Sequence, residues 1–347
     1  MDHSSSPLKI AHVMAGAAHG GAELFYERLC IAQHQQGLSI LPIIRNNEER
    51  KKKLKAAGLS PIMLPFGGFL DWRTHKEMRQ SLEKFAPNVA IAWMNRAASF
   101  MPKGDWISVG RLGGFYDLKY YKNCDHLVGN THGIVQWLIE QGWPKDRVHY
   151  VPNFAREFPQ VTPKKPDFIP KDKPLLLALG RLHPNKGFDV LIKAMSHVKN
   201  AHLLIAGEGP ERENLEKIIR ILNLTERVHM PGWIEDISSV LAASDILICS
   251  SRHEPLGNVV LEGFAAKRPV VAMASQGPME LIANREDGLL TPMEDVSAIA
   301  EAINKVLDDK DFADKIRLAG RKKFENEYCK NIVLNKWLDF LSQVRKI

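Results

Sequence analysis

Cysteine is scarce: the 347-residue chain holds four, Cys30, Cys124, Cys249 and Cys329, far apart and with no C-x-x-C pair. That excludes a disulfide framework and a cysteine zinc site, and leaves four small hydrophobes suited to a reducing compartment. No His/Asp cluster stands at metal-ligand spacing, so no metal is expected. No apolar run approaches the roughly 20 residues that a membrane span needs. The first residues, MDHSSSPLKIAHVM, lack the basic-then-apolar order of a secretory signal. A cytoplasmic protein is therefore expected, at most peripheral to a membrane. A dinucleotide fingerprint is also missing. GAAHGG (residues 16–21) follows an apolar run, but it is not G-x-G-x-x-G, and the next such run ends in IIRNN without an acid. That argues against NAD and leaves NADP open on this ground alone.

What the chain does have is an uneven charge. Residues 1–170 carry 22 Lys/Arg against 15 Asp/Glu, so the whole net charge of +7 lies there and the remainder is balanced. A basic half beside a neutral half suggests that the first part meets something anionic: nucleic acid, an acidic lipid surface or a phosphorylated glycolipid. The densest basic run, ERKKKLK (49–55), has the simpler reading of a solvated helix face.

Short β-branched runs alternate with helical patterns, the signature of parallel sheets covered by helices. In the first half 9–15, 39–44, 88–93, 106–110 and 126–129 read as strands, with helices over 21–36 and 74–86. In the second half 175–180, 202–207, 227–230, 245–250 and 269–273 repeat the pattern, and the chain turns helical after 294. Between the halves, residues 152–174 carry six prolines, each stiffening φ and removing a backbone donor. The expected organisation is an α/β domain over 1–151, a proline-rich linker over 152–173 and a second α/β domain over 174–330. A closing helix over 331–347 is expected to pack back on the first domain, and the two doubly wound domains to face each other across a cleft.

The chemistry concentrates in SRHEPLGNVVLEGFAAKRPVV (251–271), where Glu254 and Glu262 stand in an otherwise apolar stretch. Lone carboxylates are seldom buried without partners. The stretch reads as strand, loop and helix, the helix starting near Gly257 or Asn258. In an open α/β sheet such a helix start lies beyond the strand ends, and its free amides favour an anion. Two carboxylates around a pyrophosphate-sized anion site make sense as acceptors from flanking hydroxyls, as in a nucleoside diphosphate sugar. LGRLHPNKGFDVL (179–191) supplies the counter-charge: Arg181 as a fork and Lys186 as a point charge could clamp the diphosphate as a metal does elsewhere.

E-x7-E in EPLGNVVLE, with GRLHPNKG, AGEGP and QGPMELI…EDGLL in the same order, resembles the retaining glycosyltransferases of family 4, which have the GT-B fold of two Rossmann-like domains. The resemblance covers about 174–330; in the first half it rests on the glycine loop and the strand–helix order. It implies that Arg181 and Lys186 bind the diphosphate, Glu262 the ribose hydroxyls and Glu254 the transferred sugar. Amides near Gly257, Asn258 and Val259 would hold phosphate, while Gly16, Gly20 and Gly21 form a loop that approaches donor and acceptor. It further implies retention of anomeric configuration, no metal and no bound cofactor beyond the nucleotide sugar. Glu254, Arg181 and Lys186 are then the catalytic group. Relatives carry a histidine after a strand of the first domain, where this chain reads SVGRLGGFYD. Arg111 stands there instead and, with Asn95, is a candidate acceptor or phosphate contact; His126 and His132 are not selected.

Simpler readings exist for each: a surface-paired helix acid for Glu262, a turn residue for Glu254, surface ion pairs for Arg181 and Lys186, a tight turn for the glycines, a first-turn acid for Glu280 and core packing for Trp93. The expected function is transfer of a hexose-type sugar from a nucleoside diphosphate donor to a lipopolysaccharide-core, glycolipid or polysaccharide acceptor. Peripheral contact with an anionic membrane is expected. A sugar-nucleotide epimerase on the same fold is the alternative. A nucleic-acid partner is not expected, because paired glutamates serve no purpose there and no basic-helix or zinc motif is present.

Overall fold

A computed structural model describes residues 8–18, 20–68, 71–155, 157–158 and 161–345. His19 of the glycine loop, and Arg156, Pro159 and Gln160 of the proline-rich segment, lie outside the described residues. Packing divides the chain into two units, one of Met1–Asn153 with Val333–Ile347, the other of Phe154–Ile332.

Unit 1 is built on seven strands: β1 (Lys9–Met14), β2 (Ser39–Arg45), β3 (Ile62–Leu64), β4 (Val89–Trp93), β5 (Ile107–Leu112), β6 (His126–Gly129) and β7 (Val148–Tyr150). All pair in parallel, in the order β3-β2-β1-β4-β5-β6-β7. Between them run α1 (Gly21–Gln35), α2 (Glu48–Ala56), α3 (Trp72–Phe85), α4 (Met94–Phe100) and α5 (His132–Glu140). The strands are near-continuous apolar runs because both sheet faces are covered, as parallel sheets require. Helix starts follow capping chemistry. Asp71 accepts from the Thr74 amide and starts α3 two residues before the apolar pattern does, and Thr131 does the same for α5.

Unit 2 has six parallel strands: β8 (Leu175–Leu179), β9 (His202–Ala206), β10 (Val228–Gly232), β11 (Ile246–Cys249), β12 (Val270–Met273) and β13 (Leu289–Thr291), in the order β10-β9-β8-β11-β12-β13. Its helices are α6 (Phe188–Ala194), α7 (Arg212–Ile221), α8 (Ile237–Ala243), α9 (Asn258–Ala265), α10 (Gln276–Leu281), α11 (Val296–Asp308) and α12 (Lys310–Lys323); α13 (Lys330–Arg345) closes the chain. The core between sheet and helices includes Leu176, Leu203, Ile246, Leu191 and Ile303, all fully buried. Each such side chain contributes on the order of 1.5–3 kcal/mol of transfer free energy.

The proline-rich segment differs from a free linker. Its described residues form neither helix nor strand, yet Lys164 donates to the Ser239 carbonyl at 3.0 Å and Ile169 is buried with Leu175 and Leu247. Prolines block a regular element without preventing an apolar residue from reaching the core.

In each sheet the order reverses once, between β1 and β4 in unit 1 and between β8 and β11 in unit 2. Loops diverge at such a point and leave room beyond the strand ends, which is where ligands of open α/β sheets sit.

Candidate active site

The reversal in unit 2 brings together the two stretches that carry its chemistry. After β8 the chain makes one 3-10 turn, Pro184–Lys186, before α6 begins. The left-handed φ of +60° at Gly187 separates turn from helix. Glycine is required there twice over, since a Cβ would also meet the Ser250 carbonyl oxygen at 2.1 Å. That close approach, with Ser250 Oγ donating to the Lys186 carbonyl at 2.9 Å, presses the Lys186 turn onto the end of β11.

There Lys186 Nζ meets Glu254 Oε2 at 2.5 Å. The other oxygen, Oε1, accepts from the Gly257 amide at 3.3 Å, at the start of α9, where φ is +88°. Ser251 Oγ donates to Oε2 at 3.4 Å. Burial works against the charge on Lys186, but the attraction of Glu254 and its hydrogen bond outweigh it. With smaller help from Cys249 and Glu262, the ammonium is held above its ordinary pKa. Beside the pair, burial and then the Glu254 charge push the Cys249 thiol up to about 11, so it stays protonated and is no nucleophile at neutral pH.

Arg252 braces this arrangement. Its guanidinium donates to both oxygens of Asp189 at 2.7 and 2.8 Å, to Glu294 through Nε and Nη2, and to the Pro184 carbonyl at 2.8 Å. All five donors of the fork are used. The Arg252 and His253 amides both donate to the Asn185 carbonyl, at 2.8 and 3.2 Å. One side chain thus joins the Lys186 turn, α6, the Glu254 loop and the segment after β13. On the other side, the Gly277 amide donates to the Glu254 carbonyl at 2.8 Å, and a Cβ on Gly277 would meet the Leu256 carbonyl carbon at 2.3 Å. Gly180 and Gly207 touch in the same way: a Cβ on Gly207 would lie 1.9 Å from the Gly180 oxygen. The glycines of GRLHPNKG, AGEGP and QGP are therefore points of backbone contact between neighbouring loops.

In unit 1 the glycine loop after β1 is held from two sides. Glu23 of α1 accepts from the Ala17 amide at 2.8 Å and lies where side chains on Gly16 or Gly20 would be. Arg50 of α2, buried and bonded to Glu27 at 2.9 Å, donates to the carbonyls of Ala17 and Ala18 at 3.2 and 3.0 Å. Sequence reasoning passed over both residues. A glutamate at the third position of a helix and one arginine in a basic run have unremarkable explanations, and only the fold turns them toward the loop.

Residues 162–323 match the family described as glycosyl transferases group 1. Over nearly its full length the chain is 31% identical to the lipopolysaccharide core biosynthesis glycosyltransferase LpsD of Rhizobium meliloti (strain 1021), across 344 residues that cover 97% of this chain and 98% of LpsD. It is 30% identical to LpsE of the same organism, across 350 residues covering 96% and 99%. The chain belongs to the group 1 glycosyl transferases. Solved structures agree on the fold. A glycosyltransferase from Rickettsia africae ESF-5 superposes with a TM-score of 0.86 at 20% identity, covering 98% of this chain and 99% of that one. Anabaena Alr3699/HepE, in complex with UDP and glucose, does so with 0.81 at 20%, covering 97% and 100%. The architecture of this glycosyltransferase is GT-B.

In the glycosyltransferase Glu254 bonds both Lys186 and the Gly257 amide, and Glu262 lies in α9, which begins just after Gly257. Asn258 and Val259 form the first turn of α9. Arg181 is exposed just past β8, with no hydrogen bond or ion pair to any described residue. Glu280 lies in α10. In unit 1, Asn95 sits at the start of α4, its Oδ1 accepting from the Arg96 amide at 2.9 Å. Trp93 is core, fully buried, its Nε1 donating to His12 Nδ1 at 3.1 Å. Arg111 is 1% exposed, over the rings of Trp93 and Phe25 at 4.8 and 5.4 Å. His126 pairs with His149 at 3.0 Å, and His132 stacks on Tyr150 at 3.7 Å. Among the described residues no group of three His, Cys, Asp or Glu is placed to hold a metal, and no helix is long and apolar enough to cross a membrane.

Proposed function

We propose that this glycosyltransferase moves a hexose-type sugar from a nucleoside diphosphate donor to a lipopolysaccharide-core acceptor, with retention and without a metal ion. The observation that carries this reading is the Lys186–Glu254 pair at the tip of α9, in a chain similar end to end to LpsD and LpsE. A cation, an anion and a helix start at one sheet reversal match the needs of a departing diphosphate next to a sugar.

On donor binding, the diphosphate takes Lys186 from Glu254, and exposed Arg181 adds a fork on the phosphates. Released, Glu254 accepts from sugar hydroxyls while the first amides of α9, at Gly257, Asn258 and Val259, face phosphate. Glu262 accepts from the ribose hydroxyls. In the reaction the C1–oxygen bond to the diphosphate breaks and the acceptor oxygen bonds to C1 on the same face. The acceptor proton passes to a phosphate oxygen of the leaving group. No cofactor is needed beyond the nucleotide sugar. The basic first half is suited to anionic acceptors and to peripheral attachment at an anionic membrane.

A thermal-shift panel of nucleoside diphosphates and their sugars, run with and without a chelator, tests this reading. A ligand at 100 times its dissociation constant should stabilise by about 2.7 kcal/mol. Stabilisation by none of them, or turnover that depends on a divalent ion, contradicts it. The comparisons lend no support to a sugar-nucleotide epimerase. Conversion of the donor sugar in the absence of any acceptor would revive it.

A further inference from the structure

Two helices of unit 1 carry dense basic runs, and the fold treats them differently. In α2 most of the charge is neutralised within the protein. Arg50 is buried on Glu27, Lys51 pairs with Glu48 at 3.2 Å and Lys53 with Glu49 at 3.1 Å, which leaves Lys52 and Lys55. The one large apolar side chain of α2, Leu54, is fully buried.

On α3 both features are reversed. Trp72 opens the helix at 73% exposure, the highest among the large apolar side chains of the described residues. Its place is fixed by the cap: Asp71 accepts from the Gly67 and Thr74 amides at 2.6 and 3.0 Å and from Thr74 Oγ1 at 2.5 Å. Buried Thr74 Oγ1 in turn accepts from the Phe66 amide at 3.0 Å. Lys76 and Arg79 follow Trp72 at i+4 and i+7, on one stripe of the helix. Both are exposed, as is Lys103, whose carbonyl accepts from Arg79 Nη1 at 3.4 Å. Arg73 pairs with Glu77 at 2.7 Å and Arg79 lies 3.7 Å from Glu83, whereas Lys76 has no acid partner among the described residues. Over residues 72–79 three Lys/Arg thus stand against one acid. The helix starts beyond the C-terminal end of β3, on the edge of the sheet where ligands of such sheets sit.

We propose that the α3 face of Trp72, Lys76 and Arg79, with neighbouring Lys103, docks this chain on an anionic lipid bilayer, and that the denser basic run of α2 does not. An indole is apolar over its body and polar at one end, which suits the boundary between headgroups and acyl chains. The basic side chains lay their stems along that boundary and hold their charged ends against lipid phosphates. That the attachment serves an acceptor held in lipid rests on the function proposed above; the choice of α3 over α2 rests on exposure and charge.

Co-sedimentation of the full chain with vesicles of phosphatidylcholine, alone or mixed with phosphatidylglycerol, tests it, with UDP titrated in parallel. Wild type should bind the mixed vesicles far more tightly than the neutral ones and lose that advantage as salt is raised. Trp72→Ala should weaken binding about tenfold or more. Lys76→Gln and Arg79→Gln should each weaken it about fivefold, the effect of one cation near an anionic surface. Lys52→Gln combined with Lys55→Gln should cost less than either. All these side chains are exposed, so melting temperature and UDP affinity should stay at wild-type values. Equal binding to both kinds of vesicle overturns the proposal. So does a Trp72→Ala variant that binds like wild type, or an α2 double variant that loses more than Lys76→Gln with Arg79→Gln. A single-stranded oligonucleotide bound as tightly as the mixed vesicles, and equally well by Trp72→Ala, would make the face a nucleic-acid surface and overturn it too. Vesicle binding as described in a chain that ignores UDP would instead sink the proposed function and leave the docking face standing.

Discussion

Lys186 and Glu254, 68 residues apart in sequence, meet at 2.5 Å across the point where the unit 2 sheet reverses. The two groups proposed to meet different parts of the donor are paired with each other. In the proposed reading a stronger anion takes the lysine from the glutamate. If Lys186 matters most as the diphosphate departs, Lys186→Ala should reduce kcat by about 10²–10³ and donor affinity by far less. Stopped-flow or steady-state kinetics on both parameters checks this; a variant that changes only KM would assign the lysine to ground-state binding.

Glu262 is proposed to act as a hydroxyl acceptor. Glu262→Ala should weaken nucleotide-sugar binding by about 1.5–3 kcal/mol for each charged hydrogen bond removed, with the melting temperature of the free protein little changed. Unaltered affinity would leave Glu262 as a structural acid.

Arg252 touches no proposed substrate group, yet every donor on its fork is engaged in holding the loops that present Lys186 and Glu254. Arg252→Ala should lower donor affinity, and Arg252→Lys should rescue only part of the loss because an ammonium cannot reproduce the fork. In a double-mutant cycle with Asp189→Ala the two losses should be non-additive, with a coupling of about 0.5–3 kcal/mol. Strict additivity would show that the brace does not act as a unit.

Much of this was legible in the sequence, and the gaps have physical causes. The long strands announced themselves because both faces of a parallel sheet demand apolar residues. The edge strands Ile62–Leu64, Val148–Tyr150 and Leu289–Thr291 span three residues each, too short for any periodicity to register. Glu254, Lys186 and Gly257 stood out because charge and glycine in apolar runs need a reason. Their mutual pairing did not, since it depends on the order of strands and not on spacing along the chain. Arg50 was hidden for the opposite reason. Surrounded by lysines, it looked like one more solvated cation, while α1 and the glycine loop enclose it.

His12 gives unit 1 a pH dependence of known sign. Trp93 Nε1 can only donate, so His12 Nδ1 accepts, and the proton sits on Nε2, 2.8 Å from Gln33 Oε1. Burial lowers the pKa to about 4 against a hydrogen bond to Gln33 Oε1 that favours the charged form. Between about 4 and 6.5 the unfolded chain binds the proton and the folded one does not, so stability rises with pH. The contribution is complete above about pH 6.5 and falls by roughly 3 kcal/mol as pH drops to 4. Urea midpoints across that range should show the slope, and His12→Gln should flatten it; identical slopes would remove His12 as the cause.

Titration calorimetry of UDP against wild type, Lys186→Ala and Glu254→Gln puts the central exchange to the most direct test. If the diphosphate must win Lys186 from Glu254, the alanine variant binds UDP more weakly than wild type, and the glutamine variant binds it as tightly or more tightly while losing transfer activity. A Glu254→Gln enzyme that loses UDP affinity as severely as Lys186→Ala would show that the two residues support the nucleotide together and that no such exchange takes place.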